Sequence, residues 1–406
     1  MTVKIPKPSL PDEYLVDNRV YTEEGVFKLE MEKIFLRVWN FVCHESEIER
    51  PGDYLTTTVA GQPLIICRGP KGEINAFYNT CRHRASRVVL DERGHASTFK
   101  CLYHHWTYDL TGRLVSVPGI EAYTTSYNPA GLAKEDFGLV PVRVESMHRL
   151  VFVCMDHDAP PLAEYLGSVG DHLEGPFSSP DLRVWLVWSK RLRANWKMQP
   201  ENSRDGYHAT LLHDRLRHVS PPRPYRLYPN GHAVQQLGLD YESGLQHQTL
   251  DPILAQDPEL ARSFMRCPLP GLTKENPAYV VTLFPDLLIL TRFSTLLIEH
   301  QIPVSPGETI VEVRAGGLKS DTEEIRDIRE KHWELYWSQT SGNLPEDWVA
   351  WEAQQQGAVS IGVRYSILAR GEPATEGLRG DDNRIRDFWK EWRRCMGATS
   401  NAPPDD

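Results

Sequence analysis

Two short clusters constrain this chain more than any other feature: Cys81-Arg82-His83, then seventeen residues, then Cys101-Leu102-Tyr103-His104. Each pairs a thiol with an imidazole, the cysteine leading. A [2Fe–2S] centre with two thiolates on one iron and two imidazoles on the other needs this set, and its neutral imidazoles leave it less negative than an all-thiolate cluster. The competing interpretation is a structural zinc site. Zinc sites usually pair Cys with Cys and His with His, and the mixed order here does not follow that pattern. The mixed-ligand cluster is the stronger interpretation, with Cys81, His83, Cys101 and His104 as its ligands.

The surroundings of the clusters alternate as short β-strands from about residue 41 to 158. Segments 54–60 and 63–68 flank Gly61-Gln62, a hairpin signal. Pro70-Lys71-Gly72 turns the chain into 74–78, which runs on to Cys81. Segments 99–101 and 106–108 form a second hairpin, Asp109–Gly112 leads to 113–115, and 140–145 with 150–155 close the unit. Ahead of it, residues 1–20 carry Pro6, Pro8 and Pro11 and read as an extended arm. Residues 22–39 repeat Phe27, Met31, Ile34, Phe35 and Val38 at helical spacing. Between the ligand pairs, Arg82, Arg84, Arg87, Arg93 and Lys100 outnumber Asp91 and Glu92. That is either a solvated face or a basic rim that steers an acidic electron donor.

The chain has 406 residues and a formal net charge of −10, which suits two or three domains and makes nucleic acid an unexpected partner. No apolar run approaches the ~18 residues of a membrane span, and no secretory segment is visible. Five of the seven cysteines are scattered without framework spacing, so a reducing cytoplasm is the expected location. There is no nicotinamide, flavin or phosphate-loop fingerprint, so reductant must come from another protein.

After Pro160-Pro161, residues 182–192 read as a strand that leads through Asn195-Trp196-Lys197 to Glu201-Asn202-Ser203-Arg204-Asp205-Gly206-Tyr207-His208-Ala209-Thr210-Leu211-Leu212-His213. Asp205 and His208, three apart, would share a helical face. His208 and His213, five apart, converge on one ion only if the helix is distorted or ends there. Alone, they read more readily as packed or surface residues; the cluster upstream reverses that weighting. Residues 214–223 are unusually basic and 225–277 read as irregular with short helices. Strand patterns return at 279–284, 287–293, 295–303 and 309–316. Helical patterns follow at 321–338, 344–361 and 381–395, before a polar tail expected to be disordered.

Cys81-Arg82-His83-Arg84 and Cys101-Leu102-Tyr103-His104-His105-Trp106, followed by Tyr108-Asp109, Gly112 and Val117-Pro118, resemble the large (α) subunit of Rieske non-haem iron ring-hydroxylating oxygenases. Asn202…Asp205-Gly206-Tyr207-His208 and His213 resemble that family's mononuclear iron motif. One departure is His105, where Gly or Gln is common. The resemblance implies an α+β fold: an all-β Rieske [2Fe–2S] domain over 39–158, and a catalytic domain, 1–38 with 159–406, whose large antiparallel sheet is wrapped by helices. It implies a terminal oxygenase that uses O2 and electrons from a ferredoxin or flavin reductase to hydroxylate a small aromatic substrate. It implies a homotrimer or an α3β3 hexamer with a small subunit. His208 and His213 would hold Fe(II), and Asp205 would bridge to a neighbouring subunit's cluster.

The third iron ligand breaks the pattern. A carboxylate completes such sites, yet Gln356 of Gln356-Gly357-Ala358-Val359 stands where the family's Asp is expected. The preferred reading has Gln356 ligating through its oxygen, with Glu352, one turn earlier, as the alternative. A two-His or inactive site is the third possibility, and it corresponds to the alternative function: a non-catalytic Rieske partner or electron-transfer subunit. Arg292, Glu299 and His300 fall in strands expected near the pocket, where Glu299 would oppose a carboxylate substrate. Strand residues alternate faces, so each points either inward or to solvent.

Overall fold

The computed structural model describes residues 7–213, 224–237, 257–273, 278–378 and 380–403. The chain divides into two units, Phe35–Leu162 and Met1–Ile34 with Ala163–Asp406.

The logic of the first unit is visible in one strand. Gln62–Arg68 carries an unbroken apolar run, Leu-Ile-Ile-Cys. Successive strand side chains point to opposite faces, so this strand feeds two cores. Ile65 and Cys67 pack with Phe77, Cys81, Cys101, Trp106 and Tyr108. Leu64 and Ile66 pack with Val42, Leu55, Val151 and Val153. The strand is internal to an antiparallel sheet ordered Ile74–Tyr78, Gln62–Arg68, Asp53–Val59, Arg93–His95. A second sheet is ordered Arg143–Met147, Leu150–Cys154, Asn40–His44. A third, Thr98–Lys100, Thr107–Asp109, Leu114–Ser116, delivers Cys101 directly from its first strand. The hairpin turn sits one residue earlier than expected: Val59 pairs with Gln62 across Ala60-Gly61, whose φ values are 49° and 74°, as a type I′ turn requires.

The second unit is built on one eight-stranded antiparallel sheet, ordered Leu182–Leu192, Glu308–Leu318, Thr295–Ser305, Leu287–Arg292, Ala278–Leu283, His232–Leu237, Pro224–Tyr228, Glu376–Leu378. Two of these strands correct an expectation. Pro224–Tyr228 and His232–Leu237 lie where irregular chain was expected; they pair around Asn230-Gly231, both at positive φ. The basic segment 214–223, and 238–256 and 274–277 of the stretch expected to be irregular, lie outside the described residues. The α-helices of seven or more residues among those described are α1 (Glu24–Glu30), α2 (Met198–Arg204), α3 (Pro258–Phe264), α4 (Glu323–Trp337), α5 (Leu344–Ala358) and α6 (Asn383–Met396). α1 is shorter than expected because the chain passes into a π turn at Met31–Phe35. The tail is held through residue 403, contrary to expectation. Asn401 is buried, its Nδ2 donates to Leu15 O at 2.9 Å, and its carbonyl accepts from Asp17 N–H at 2.8 Å. No helix among the described residues is long and apolar enough to cross a membrane.

Asn195-Trp196-Lys197 fixes the start of α2. Asn195 Nδ2 donates to Tyr21 O and Pro306 O, at 3.2 and 2.7 Å. Trp196 Nε1 and Lys197 Nζ both donate to the fully buried Glu30 of α1, at 2.8 and 2.7 Å, and Trp392 Nε1 of α6 joins them at 2.8 Å. One turn on, Glu201 accepts from Tyr21 Oη at 2.5 Å and Trp389 Nε1 at 2.7 Å, and burial pushes its carboxyl up to about 7. Burial also lowers the Lys197 pKa, against the pull of Glu30. Removing one partner of such a pair strands a buried charge. Lys197→Met should therefore destabilise the second unit by about 3–5 kcal/mol, and adding Glu30→Gln should recover most of the loss; calorimetric melts of the single and double variants check this.

Candidate metal centres

The two cysteine loops of the first unit are built alike. Ala85 N–H donates to Cys81 O at 3.0 Å, and Cys81 N–H to Ser86 O at 2.8 Å. In the other loop His105 N–H donates to Cys101 O, and Cys101 N–H to Trp106 O, both at 2.9 Å. Ala85 and His105, each four residues past its cysteine, take φ values of 56° and 58°. Closing such a loop needs a left-handed residue, which glycine adopts without cost and other residues do not. That is the physical meaning of the position at which this chain carries His105.

Cys81 and Cys101 are buried, His83 is half-buried and His104 is exposed. The two imidazole rings lie 4.5 Å apart, and His83 stacks on Trp106 at 4.9 Å. Tyr108 Oη lies 3.3 Å from Cys81 Sγ and accepts from Arg82 N–H at 3.1 Å. His83 Nδ1 is enclosed without a hydrogen-bond partner. Burial, then the nearby His104 and Arg84, lowers the His83 pKa, which keeps the ring in the neutral form a metal takes. Two converging thiols, two imidazoles and an orphaned ring nitrogen fit a [2Fe–2S] cluster, cysteines inward and histidines outward. Of the basic residues between the ligand pairs, Arg93 bridges Glu47 at 2.7 Å. Arg82, Arg84, Arg87 and Lys100 are exposed, and among the described residues they form no ion pair.

In the second unit α2 stops at Arg204, so the helix ends before the histidines rather than continuing through them. Asp205 is extended, and its Oδ1 accepts from Tyr207 N–H at 2.7 Å. A short 3-10 turn, His208–Thr210, then brings His208 and His213 together, ring centroids 5.3 Å apart. Asp205 and His208 therefore meet through a turn and not along a helical face; Asp205 Oδ2 lies 3.5 Å from His208 Nδ1, beyond normal hydrogen-bond length, and that nitrogen is enclosed without a hydrogen-bond partner. Burial works to raise the Asp205 pKa, but His208 and the backbone N–H groups of Tyr207 and His208 outweigh it and lower it.

The third member of this group is Asp347, in the first turn of α5. Its Oδ1 lies 3.5 Å from His208 Nε2 and 3.3 Å from His213 Nε2, and Asn202 Nδ2 donates to it at 3.0 Å. The neighbouring Glu346 Oε2 lies 2.8 Å from His213 Nδ1. Burial works to lower the His213 pKa, but Asp347 and Glu346 outweigh it and raise it. Two atoms each ~2.1 Å from a common ion stand about 3.0–3.5 Å apart, so the group fits a metal as placed. Two nitrogens and one carboxylate oxygen on one side, with the rest open, is the donor set of non-haem Fe(II) oxygenases.

The structure does not bring the expected third ligand to the two histidines. Gln356 is exposed, nine residues beyond Asp347 and thus about 13.5 Å along α5 on its opposite face. Glu352 Oε1 accepts from Arg193 N–H at 3.0 Å, and Gln355 Oε1 from Asn195 N–H at 2.9 Å. That side of α5 anchors the chain entering α2 and does not reach the histidines. The signal for Asp347 was present as Pro345-Glu346-Asp347, but acids in a first helical turn are ordinarily explained by the helix dipole.

A chain whose one unit fits a [2Fe–2S] cluster and whose other unit holds a two-His, one-carboxylate donor set has the parts of an oxygenase with its own one-electron relay. Residues 38–129 match the Rieske [2Fe-2S] domain, and residues 179–398 match the Ring hydroxylating alpha subunit (catalytic domain). The chain is 34% identical over 396 residues to the 2-aminobenzenesulfonate 2,3-dioxygenase subunit alpha of Alcaligenes sp, covering 96% of this chain and 95% of that one. It is 29% identical over 410 residues to the anthranilate 1,2-dioxygenase large subunit of Burkholderia cepacia, covering 94% and 93%. A naphthalene 1,2-dioxygenase structure with indole bound in its active site superposes with a TM-score of 0.80 at 25% identity, over 97% of this chain and 95% of that one. The chain belongs to the ring-hydroxylating Rieske oxygenase α subunits. Its cofactors are a Rieske [2Fe–2S] cluster and a mononuclear iron, and the alternative of a non-catalytic partner subunit is not supported.

Two measurements test this geometry. Asp347→Ala should lose the mononuclear iron while keeping the cluster iron, whereas Gln356→Ala and Glu352→Gln should keep both, as metal analysis of the purified variants would show. His105→Gly should retain the cluster and raise the melting temperature of the first unit, because a left-handed non-glycine residue costs about 1–2 kcal/mol; His105→Val should lower cluster absorbance per protein.

Proposed function

We propose that this chain is the terminal oxygenase of a multicomponent system that hydroxylates a small aromatic substrate, with Cys81, His83, Cys101 and His104 as cluster ligands and His208, His213 and Asp347 as iron ligands. The observation that carries this reading is the His208–His213–Asp347 triangle. With its metals bound, the site supplies single electrons from the cluster and O2 activation at the iron. The chain's own residues do the positioning. Glu346 stands at the far nitrogen of His213 and fixes that ring's orientation and tautomer, and Asp205 faces the far nitrogen of His208. Asn202 orients Asp347. The aromatic substrate is supported by the relatives, which are named for acting on aminobenzenesulfonate and anthranilate.

Electrons would come from a ferredoxin or a flavin reductase, which the unpaired Arg82, Arg84, Arg87 and Lys100 suit as an acidic partner. Assembly into a trimer, with or without small subunits, is supported by exposed apolar groups at both ends of the electron path. Leu90, Leu102 and Tyr103 are 56–57% exposed at the cluster tip. A cavity of about 920 Å³ opens beside Asp205 and His208, and Tyr207, Val363 and Ile367 on its wall are exposed. A neighbour's cluster edge seated there would place Asp205 between the two centres. The unpaired cysteines suit a reducing cytoplasm.

The reading is tested by supplying the purified protein with a surrogate ferredoxin and reductase and following O2-dependent aromatic products; a fully metal-loaded protein that forms none would refute it. Asp205→Asn should leave both metals loaded yet cut coupled turnover by roughly 100-fold, with iron content and cluster absorbance as controls.

A further inference from the structure

The register of the large sheet lets its inner face be followed row by row. One row contains Leu288, Glu299, Val313 and Trp188. It lies at the metal group: Trp188 packs edge-on against Trp348 at 5.7 Å, next to Asp347, and the buried Glu299 senses the Asp347 charge. Two residues along, ~6.7 Å away, the second row is Gln235, Val280, Leu290, Leu297 and Ala315. Leu290, in the middle of this apolar row and of the sheet, is only partly buried, which marks open space above it. A further ~6.7 Å on, the third row holds Arg292 opposite Thr295.

Arg292 is the anomaly. It is 6% exposed, its guanidinium lies 3.9 Å from the Tyr336 ring centroid and 5.8 Å from that of Trp337, and among the described residues no carboxylate pairs with it. Its Nε and Nη1 are enclosed without a hydrogen-bond partner. Thr295 Oγ1 beside it and Trp333 Nε1, one turn before Trp337 on α4, are also unpartnered, as is Gln235 Nε2 in the middle row. A buried charge without a partner is costly, and every one of these groups is able to donate. Together they ask for an acceptor that carries negative charge. Glu299 stands two rows, ~13 Å, from Arg292, and burial pushes its carboxyl up to about 8.

We propose that the substrate is an aromatic acid whose carboxylate or sulfonate is received by Arg292, while its ring lies over Val280, Leu290 and Leu297 and its far edge faces His208 and His213. A planar guanidinium with two free N–H groups matches a bidentate oxyanion, and the middle row supplies the apolar floor for one ring. The proposal rests on the oxygenase reading of the His208–His213–Asp347 site and deepens it.

The test is calorimetric binding to the metal-loaded protein of benzoate, benzenesulfonate, the neutral benzenesulfonamide and inorganic sulfate. The two aromatic anions should bind roughly 10- to 100-fold more tightly than the sulfonamide, and sulfate should not match them. In R292Q the preference for anion over sulfonamide should fall towards unity, and R292K should keep part of it. The proposal is overturned if the sulfonamide binds the native protein as tightly as the anions, if R292Q weakens all three rings alike, or if sulfate displaces benzenesulfonate at equal affinity. Should R292Q not fold, R292K and the native preference still decide. Products from neutral rings in preference to acids would sink this inference alone; no O2-dependent product from any ring would sink the oxygenase reading beneath it.

Discussion

The catalytic unit hangs on one carboxylate. Glu30 gathers Trp196, Lys197 and Trp392, residues 166, 167 and 362 positions away in sequence. A buried ion pair of this kind is weak evidence for stability, because desolvation offsets most of its attraction. Its effect here is positional. It fixes the first turn of α2 against α1 and α6, and Glu201, with Tyr21 and Trp389, repeats the restraint one turn later. With both turns held, the point at which α2 ends is set, and so is the direction in which Asp205, His208 and His213 leave it.

That exit direction matters because the metal group is assembled from a chain end and a chain start. α2 contributes the histidines just past its C-terminus, and α5 contributes Asp347 from its first turn. Glu352 and Gln355 then bind the backbone of Arg193 and Asn195. α5 therefore ties itself to the segment entering α2 with one face and presents its carboxylates to the histidines with its first turn. Asp347 faces the Nε2 atoms, while Asp205 and Glu346 stand at the Nδ1 atoms. Three carboxylates around two imidazoles make a half-buried site with surplus negative charge, which a divalent cation offsets in large part.

How much of this could be read from sequence follows the range of the interactions. The cluster ligands lie on two loops close in sequence, and both repeat the same Cys–His grammar; strand Leu182–Leu192 was placed at its observed ends. The carboxylates of the metal group were not legible because 133 residues separate His213 from Glu346, and only the packing of α5 selects which of its acids faces the histidines; Gln356 lies on the same helix, on another turn. Arg93–His95 carries no apolar alternation, since it is an exposed edge whose partner, Asp53–Val59, supplies the burial. Pro224–Tyr228 begins with proline, which is tolerated at a strand start but masks the strand pattern. Asn401 looked like part of a loose polar tail because nothing local announces its hydrogen bonds to Leu15 and Asp17.

The inner face of the large sheet shows what this architecture has to offset. An unsatisfied buried donor costs about 1–3 kcal/mol, and a charged one more. Arg292, Thr295, Trp333 and Gln235 carry such groups together, in a unit whose net stability is on the order of 5–15 kcal/mol. Long strands such as Thr295–Ser305 and Glu308–Leu318, paired along almost their whole length, and the buried aromatic residues of α6 make that cost bearable. The same rigidity keeps the donors from relaxing onto one another. A softer sheet would let Arg292 turn towards a backbone carbonyl and lose its open geometry. Holding polar groups unpaired, at a defined distance from a metal, requires the stiff, extensively paired sheet on which this unit is built.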